Sequence, residues 1–368
     1  MRVALAHDYL LVMRGAERTF AEMAACWPGA PIHTLLYDPE QTGASFAGHP
    51  VHPSVLQRLP VRQQGFRRLL PLMPAATRTM RPGPCDAVVT STSAFAHGLA
   101  VPDGAVHVVY CHSPFRYAWF AQERARGELP RPLRALVGPA SGALRRWDLR
   151  AASRVDHYIA NGRITQSRIA EYYGRDVDVV HPPVAIDRFT APRAPGDRLL
   201  LVGELVRHKR VEVALRAADR AGVRVEIVGT GPDEERLHAE YGDRHAFLGR
   251  VDDDALAAAY ARARAVMVPN VEEFGIVAVE AQAAGCPVLA VAAGGALETV
   301  RDGVTGVLVP EGDDDAMAEA LRETDFAAFD ATRCREQAER FGPEPFRRRL
   351  QEQVDRAVAA GRRARATR

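Results

Sequence analysis

Residues 265–290 read AVMVPNVEEFGIVAVEAQAAGCPVLA. A short apolar run ends at Pro269, an acidic loop reaches Phe274 and Gly275, and a segment of helical length follows until Gly285 stops it before a second apolar run. We interpret this stretch as a strand, a loop, a helix and another strand. That order is typical of a parallel sheet covered by helices.

The same alternation runs through all 368 residues and predicts an α/β protein. Two series of strands indicate two doubly wound, Rossmann-like domains, at 1–182 and 199–340. Between them, residues 183–198 carry several prolines and are predicted to be a linker. Residues 341–368 are expected to form a helix that can cross back to the N-terminal domain. The predicted strands are 2–6, 32–36, 87–90, 107–110 and 157–160, then 199–202, 224–228, 245–248, 265–268 and 287–290.

Composition excludes several protein classes. Apolar residues are 47% and charged residues 26% of the chain, which is ordinary for a globular protein and wrong for a disordered one. Net charge is only +2, which gives no support to nucleic-acid binding. The five cysteines show no C-x-x-C spacing, and no leader or long apolar run is evident, so we expect a cytoplasmic protein without a zinc site.

One segment has an uneven charge distribution. No acidic residue lies between Glu40 and Asp86, while arginines alternate with Leu, Phe and Met from Arg58 to Arg81. Such a surface suits an anionic membrane, which would place the protein at the inner face of a membrane. A solvated basic pair of helices that covers core residues explains the pattern equally well.

The loop before the predicted helix contains residues suited to binding a nucleotide sugar. Gly275 would let a phosphate approach the backbone, where the N–H groups of Ile276 and Val277 could hold it. Glu272 and Glu280 could accept hydrogen bonds from sugar hydroxyls. The alternative is that these acids only cap a helix and line a solvated face.

This stretch resembles the E-x7-E motif of the retaining glycosyltransferases of family 4, which have the two-domain GT-B fold. The resemblance extends to segments in both halves of the chain, including His7–Leu10, Tyr110–Trp119 and Val202–Arg210, and is nearest to a subgroup with O-antigen mannosyltransferases. It implies two domains facing each other across a cleft. It also implies that Glu272 contacts the transferred sugar, that Phe274, Gly275, Ile276 and Val277 hold the diphosphate, and that Glu280 binds the ribose.

Further site residues follow from the same resemblance. Lys209 is expected to neutralise the leaving diphosphate, helped by Arg207 and Arg210, because this chain has Glu204 where many relatives have arginine. His112, after a predicted strand, is expected to position the sugar or stabilise the leaving group. Donor binding is also expected at Gly15, in a loop where relatives carry two glycines, and at Gly229 and Gly231. Weaker acceptor-side candidates are Arg116, Tyr117 and Trp119.

No metal or other cofactor is expected. Asp176 and Asp178 match the D-x-D metal motif formally, but they enter a strand rather than a phosphate-binding loop. Asp252 and Asp313 begin two acidic triplets that are predicted to cap helices.

The sequence thus predicts a retaining, metal-independent glycosyltransferase that moves a hexose, GDP-mannose being the favoured donor, to a glycan, lipid-linked or small-molecule acceptor. A UDP-hexose donor, an epimerase or phosphorylase on the same fold, and a non-catalytic nucleotide-sugar binding protein remain alternatives. A dinucleotide oxidoreductase is disfavoured because no G-x-G-x-x-G follows a strand.

Overall fold

The computed structural model describes residues 1–59, 65–122, 127, 134 and 137–366. The side chains of Arg67 and Ala366 are outside this description, as is Arg62 of the basic segment. The chain divides into two compact units, one made of residues 1–181 and 346–368 and the other of residues 182–345. The segment predicted as a linker, 183–198, is counted with the second unit.

The first unit is built on a seven-stranded parallel sheet of order β3-β2-β1-β4-β5-β6-β7. Its central strands are buried along their whole length, as expected when helices cover both faces. The strands are β1 (Val3–His7), β2 (Ile32–Thr34), β3 (Val51–Pro53), β4 (Ala87–Thr92), β5 (Val106–Cys111), β6 (His157–Ala160) and β7 (Asp178–Val179).

Helices of this unit follow the strands as the alternating pattern predicts. The α-helices are α1 (Gly15–Ala25), α2 (Pro39–Phe46), α3 (Met73–Ala76), α4 (Arg116–Trp119), α5 (Val137–Ala152) and α6 (Arg163–Tyr173). The basic segment forms short 3-10 helices at Val55–Arg58, Phe66–Leu72 and Thr77–Thr79 around α3 rather than long helices. Pro71 and Pro74 interrupt it and so prevent regular helical hydrogen bonding.

The second unit holds a six-stranded parallel sheet of order β10-β9-β8-β11-β12-β13. Its strands are β8 (Leu199–Val202), β9 (Val225–Val228), β10 (Ala246–Gly249), β11 (Val266–Val268), β12 (Val288–Val291) and β13 (Gly306–Val309). Its α-helices are α7 (Val211–Ala221), α8 (Glu234–Tyr241), α9 (Asp253–Arg262), α10 (Ile276–Ala283), α11 (Ala296–Thr299), α12 (Asp314–Glu323) and α13 (Ala331–Glu339). The prediction of two Rossmann-like α/β domains is confirmed.

Three edge strands, β3, β7 and β13, are missing from the ten predicted strands, although Asp178 was expected to enter a strand and lies on β7. They are only two to four residues long, and β3 ends in a proline that an edge strand tolerates. Strands that short have too few residues for a clear pattern. The predicted caps are confirmed, since Asp252 accepts a hydrogen bond from the Ala255 N–H and Asp313 accepts one from the Ala316 N–H.

The last helix, α14 (Pro343–Ala366), belongs mainly to the first unit. Phe346, Leu350 and Val354 pack into the core on one face of the first sheet, while Phe341, just before the helix, packs in the second unit. Within the residues that the structure covers, no helix is both long and apolar enough to cross a membrane.

Leu350 is fully buried, so Leu350→Ala removes apolar contacts and leaves a cavity. We expect it to lower the free energy of unfolding by about 2–5 kcal/mol, measured by urea denaturation. The control is Arg349→Ala, which changes the exposed neighbour and should have an effect below about 0.5 kcal/mol. Equal losses from both variants would contradict this packing.

Candidate functional site

In the second unit, Lys209 and Glu272 form an ion pair between two loops. Lys209 follows β8 and Glu272 follows β11, and these strands are neighbours in the parallel sheet. The two side chains keep 29% and 28% of their surface exposed, so the pair is accessible to a ligand. The structure therefore brings together two residues that the sequence places 63 positions apart.

Asn270 is a member of this cluster that the sequence analysis missed. Its Nδ2 donates a hydrogen bond of 2.7 Å to Glu272 Oε1, the oxygen that Lys209 also contacts. Asn270 is 7% exposed, so the amide is held in place. Its position just past the end of β11 is where parallel sheets bind ligands, and that signal could have identified it.

The loop after Glu272 passes into α10 through Gly275, whose φ is +88°. This left-handed conformation favours glycine. Ile276 and Val277 begin the helix, so no preceding turn accepts their N–H groups. The helix N-terminus is therefore a candidate anion site beside the cluster of Lys209, Glu272 and Asn270.

A second loop, after β12, supports the first. The Gly295 N–H donates to the Glu272 carbonyl at 2.8 Å, and a Cβ on Gly295 would lie 2.1 Å from the Phe274 carbonyl oxygen. Only glycine permits that approach. The Phe274 ring itself is buried, with its centroid 5.4 Å from that of Phe341, so its side chain belongs to the core.

Glu280 lies within α10 and is held by Tyr260, a second residue that the sequence analysis missed. The Tyr260 hydroxyl donates to Glu280 Oε2 at 2.8 Å. Burial and the neighbouring Glu280 carboxylate raise the pKa of Tyr260 well above its ordinary value, so the hydroxyl stays a donor. Tyr260 thus positions the carboxylate predicted to bind the ribose.

Arg207 and Arg210 line a cavity of about 400 Å³ that Lys209 and Glu272 do not line. Arg216 and Arg236 also line this cavity, and both are paired with Glu212. The Arg207 side chain is 88% exposed and lies 4.0 Å from Asp233. The structure thus groups these two arginines apart from Lys209, and their role in donor binding stays a prediction.

The conformations of Gly229 and Gly231 follow from loop packing. A Cβ on Gly229 would lie 1.8 Å from the Gly203 carbonyl oxygen, and a Cβ on Gly231 would lie 2.3 Å from the Leu205 carbonyl oxygen. Both glycines let the loop after β9 pack against the loop that leads to Lys209. This contact explains the residue type without a ligand, so donor contact at either position also stays a prediction.

In the first unit, His112 directly follows β5 and is part of a buried polar chain. Its Nε2 shares a hydrogen bond of 2.8 Å with Ser91 Oγ, which in turn lies 3.1 Å from His7 Nδ1. Ser91 has one hydroxyl proton, so it donates to one imidazole and accepts from the other. The tautomers of His7 and His112 are therefore coupled.

Burial and, to a smaller extent, the adjacent His7 lower the pKa of His112 to about 3, against an opposing effect of Asp8. The imidazole is therefore neutral near pH 7 and can act through hydrogen bonds but not through charge. Burial also lowers the pKa of His7, although Glu17 and Asp8 oppose that shift. A cationic role for His112 is not supported.

Asp8 shapes the loop beside His112. Its carboxylate accepts four hydrogen bonds, from the Thr92 hydroxyl and from the backbone N–H groups of Ser93, Phe95 and Ala96, at 2.6–2.9 Å. Asp8 is 3% exposed. It therefore fixes the loop after β4, and the sequence analysis quoted it only as part of a motif.

Gly15, which was expected in a loop, is the first residue of α1. The buried Glu17 carboxylate accepts from the Arg14 N–H at 3.0 Å. Glu17 thus places a negative charge at this helix N-terminus, which weakens the case for a phosphate there. Phosphate binding at Gly15 remains a prediction.

The acceptor-side candidates Arg116, Tyr117 and Trp119 lie on α4. The Trp119 indole N–H donates to the buried Asp148 carboxylate at 2.7 Å, and its ring stacks on Tyr172 with a centroid distance of 4.5 Å. These contacts anchor α4 to α5 and α6. Trp119 therefore has a structural role, whether or not it also contacts an acceptor.

Asp178 of the formal D-x-D motif lies on the edge strand β7. It accepts a hydrogen bond of 2.7 Å from Gln353 and pairs with Arg356 at 3.7 Å, both on α14. Across the residues placed by the structure, no three His, Cys, Asp or Glu side chains are grouped as metal ligands.

Two family models match consecutive parts of the chain. Residues 13–188 match the Glycosyltransferase Family 4 model, and residues 186–339 match the model described as glycosyl transferases group 1. Together they span both predicted domains and include Glu272, Lys209 and His112. Both segments are therefore similar to glycosyltransferase domains, and these matches do not confirm the O-antigen mannosyltransferase subgroup.

Several curated relatives share one activity name. The chain is 34% identical over 232 residues to the D-inositol 3-phosphate glycosyltransferase of Mycobacteroides abscessus, covering 55% of this chain and 49% of that protein. It is also 34% identical over 236 residues to the enzyme of that name from Geodermatophilus obscurus, covering 54% and 50%. The chain thus matches about half the length of these curated relatives.

Solved structures support the fold. The crystal structure of Anabaena Alr3699/HepE in complex with UDP superposes with a TM-score of 0.71 at 19% identity, covering 96% of this chain and 100% of that one. The lipopolysaccharide outer core galactosyltransferase WaaB superposes with a TM-score of 0.69 at 15% identity, covering 96% and 99%. Both neighbours are similar in fold alone, which is that of the GT-B glycosyltransferases.

The buried, neutral state of His112 has a consequence for stability. The unfolded chain takes up a proton at His112 below pH 6.5, whereas the folded chain takes it up only near pH 3. Stability therefore falls as the pH falls through this window. We expect His112→Gln to reduce this loss by up to about 1.4 kcal/mol per pH unit, measured by urea unfolding at pH 6, 5 and 4. Parallel pH profiles for the two proteins would contradict a depressed His112 pKa.

Proposed function

We propose that this chain, with its family 4 and group 1 glycosyltransferase segments, is a retaining enzyme that moves a hexose from a nucleotide diphosphate sugar to an acceptor hydroxyl. The observation that carries the proposal is the cluster of Lys209, Glu272 and Asn270 next to the N-terminus of α10. A cation, a carboxylate and free helix N–H groups at one sheet edge are suited to a sugar diphosphate.

In the proposed reaction the bond between the anomeric carbon and the diphosphate oxygen breaks, and its electron pair goes to the diphosphate. Lys209 and the N–H groups of Ile276 and Val277 would stabilise this developing charge. The acceptor oxygen bonds to the anomeric carbon on the face that the diphosphate leaves, and its proton passes to a diphosphate oxygen. We propose that these fixed groups take the place of a metal ion.

Glu272 would bind hydroxyls of the transferred sugar. Asn270 and Lys209 both contact its Oε1, which fixes the carboxylate and leaves Oε2 as the oxygen for the sugar. Glu280, held by Tyr260, would bind the ribose. His112 would act as a neutral hydrogen-bonding group toward the sugar, because its pKa is far below 7.

We propose the identity of the donor and the class of the acceptor from similarity to other proteins. The mannosyltransferase-like segments favour GDP-mannose, whereas a structural neighbour solved with UDP keeps a UDP-hexose open. The curated relatives named for D-inositol 3-phosphate favour a small phosphorylated acceptor over a glycan, alongside the lipid-linked alternative.

A donor screen followed by turnover tests this function. Thermal unfolding with GDP, UDP and other nucleoside diphosphates identifies the base, since a ligand at 100 times its Kd stabilises a protein by about 2.7 kcal/mol. The matching nucleotide sugar is then incubated with acceptors, in the presence and absence of EDTA. A glycoside product of retained configuration, formed also with EDTA, supports the proposal. Three other outcomes would contradict the proposed function. An epimerised nucleotide sugar would indicate an epimerase, a product that needs inorganic phosphate would indicate a phosphorylase, and binding without turnover would indicate a nucleotide-sugar binding protein.

The division of labour between Lys209 and Glu280 can be measured by steady-state kinetics. Lys209→Ala should lower kcat and kcat/KM together, on the order of 10²-fold, because charge on the diphosphate grows in the transition state. Glu280→Ala should raise donor KM with kcat nearly unchanged, because the ribose does not change during the reaction. Tyr260→Phe should raise KM in the same direction by a smaller factor.

Glu273→Gln is the matched control for these variants, since it alters the acid next to Glu272 in the same loop. It should leave both constants within about twofold, and circular dichroism should show all variants folded. If Lys209→Ala and Glu280→Ala both changed only donor KM, the proposed difference between the roles of Lys209 and Glu280 would be refuted.

We further propose peripheral association with anionic membranes through the basic segment. Arg58, Arg68, Arg78 and Arg81 are exposed, and Val55, Leu59 and Leu72 are exposed large apolar residues of the same region. Exposed cations beside exposed apolar groups suit an anionic interface.

Vesicle sedimentation tests this association. More protein should sediment with phosphatidylglycerol vesicles than with phosphatidylcholine vesicles, and the difference should shrink as salt is raised. Replacing Arg58 and Arg68 together by Gln should reduce the difference. Equal sedimentation with both lipids would favour the alternative of a solvated basic surface.

A further inference from the structure

A cavity of about 330 Å³ in the first unit lies against the edge of the sheet formed by β2 and β3. His33 and His52 line it from these two strands, where they are register partners. Thr79 and Arg81 line it from the end of the basic segment. None of these residues belongs to the site described above.

His33 is a buried imidazole with an unsatisfied nitrogen. It is 6% exposed, and its Nε2 is buried without a hydrogen-bond partner among the residues that the structure describes. A buried polar atom without a partner is costly, and native proteins usually satisfy it with a ligand or a water molecule. The His33 ring therefore brings to this cavity a hydrogen-bonding nitrogen that a ligand can use.

The charged groups around the cavity select the class of ligand. Arg81 is exposed, its Nε donates to the Arg78 carbonyl at 3.2 Å, and no described carboxylate pairs with its guanidinium. The polar residues that line the cavity are His33, His52, Thr79 and Arg81. The lining therefore contains one fixed cation, two imidazoles and no carboxylate, and the sequence has no acidic residue from 41 to 85. Such a lining attracts an oxyanion.

A transition metal fits the same residues poorly. The two imidazole rings are stacked, with centroids 5.1 Å apart and planes 25° from parallel, so their nitrogens do not converge on one point. A metal bound between two histidine nitrogens needs each at about 2.1 Å. Arg81 would also repel a cation. Thr79 contributes little to either ligand, because its hydroxyl donates to the Ala76 carbonyl and accepts from the Val55 N–H.

We propose that this cavity is a phosphate-binding pocket, separate from the donor site, in which Arg81 supplies the charge and the His33 and His52 imidazoles supply hydrogen bonds. Burial and the neighbouring His52 lower the pKa of His33 to about 4, so His33 is a neutral partner near pH 7 and Arg81 is the residue that discriminates for an anion. A phosphate group could come from a soluble phosphate ester or from a phospholipid headgroup, since exposed Val55 and Leu59 lie in the adjacent 3-10 segment.

Histidine ring NMR on the full chain tests the pocket directly. Inorganic phosphate is titrated at pH 7 while the imidazole signals of His33 and His52 are followed, with His52→Gln and His33→Gln used for assignment. Both signals should move and saturate in the wild-type protein. Arg81→Gln should weaken the phosphate affinity about tenfold, because it removes a charge-assisted contact.

Arg78→Gln is the matched control, since Arg78 is an exposed arginine of the same segment that does not line the cavity. It should leave the phosphate affinity within about twofold. Absence of saturable shifts, or equal affinities for Arg81→Gln and wild type, would overturn the proposal. So would shifts with zinc chloride but none with phosphate. The measured quantity is phosphate binding at His33 and His52, which does not depend on catalysis. A negative result would therefore contradict the phosphate pocket without contradicting the proposed transferase activity, and a chain without transferase activity could still bind phosphate here.

Vesicles distinguish the two sources of phosphate. If Arg81→Gln lowers sedimentation with phosphatidic acid vesicles by clearly more than Arg78→Gln does, the ligand is a lipid headgroup. If Arg81→Gln loses inorganic phosphate but lowers sedimentation no more than Arg78→Gln does, the pocket takes a soluble phosphate group. Both results support the phosphate pocket.

Discussion

The candidate site depends on the close approach of loops at the carboxyl edge of the second sheet. The backbone of Gly229 lies so near the Gly203 carbonyl, and that of Gly295 so near the Phe274 carbonyl, that a Cβ at either place would overlap backbone atoms. These contacts pack the loop after β9 against the loop after β8, and the loop after β12 against the loop after β11. Lys209 and Glu272 meet because their own loops are supported in this way.

The ion pair between Lys209 and Glu272 holds the cluster with Asn270 in one arrangement. A lysine and a glutamate on separate surface loops would be worth little, whereas here both side chains are partly buried and Asn270 holds the same carboxylate oxygen. The arrangement leaves one carboxylate oxygen and the start of a helix for a ligand. In the first unit the corresponding constraint is the chain of His7, Ser91 and His112, in which one hydroxyl proton links two buried imidazoles.

Some predicted site residues have contacts in the structure that differ from those their sequence position suggests. Arg207 and Arg210 are near Lys209 in the chain, yet they line a cavity with Arg216 and Arg236 that Lys209 does not line. Trp119, an acceptor-side candidate, is held by buried Asp148 and by Tyr172. A short sequence distance therefore does not establish that two residues serve one ligand.

The sequence by itself determined the fold class and the residues of the acidic loop. Apolar runs that alternate with helical periods must form parallel sheets covered by helices, and the spacing from Glu272 through Gly275 to Glu280 is a local property of one loop and one helix. The motif at Glu272 also indicated the similarity to glycosyltransferases that the family models find in both halves. None of this required knowledge of distant contacts.

Only the tertiary structure decided which distant side chains meet. Tyr260, Ser91 and Asp8 entered the site description because β-strand neighbours and helix packing bring them to Glu280, His112 and the loop after β4, respectively. The pairing of His33 with His52 likewise depends on the register of β2 and β3, an edge strand too short to predict. Hydrogen bonds and ion pairs act over about 3 Å, and sequence periodicity fixes the face of an element but not its neighbours at that distance.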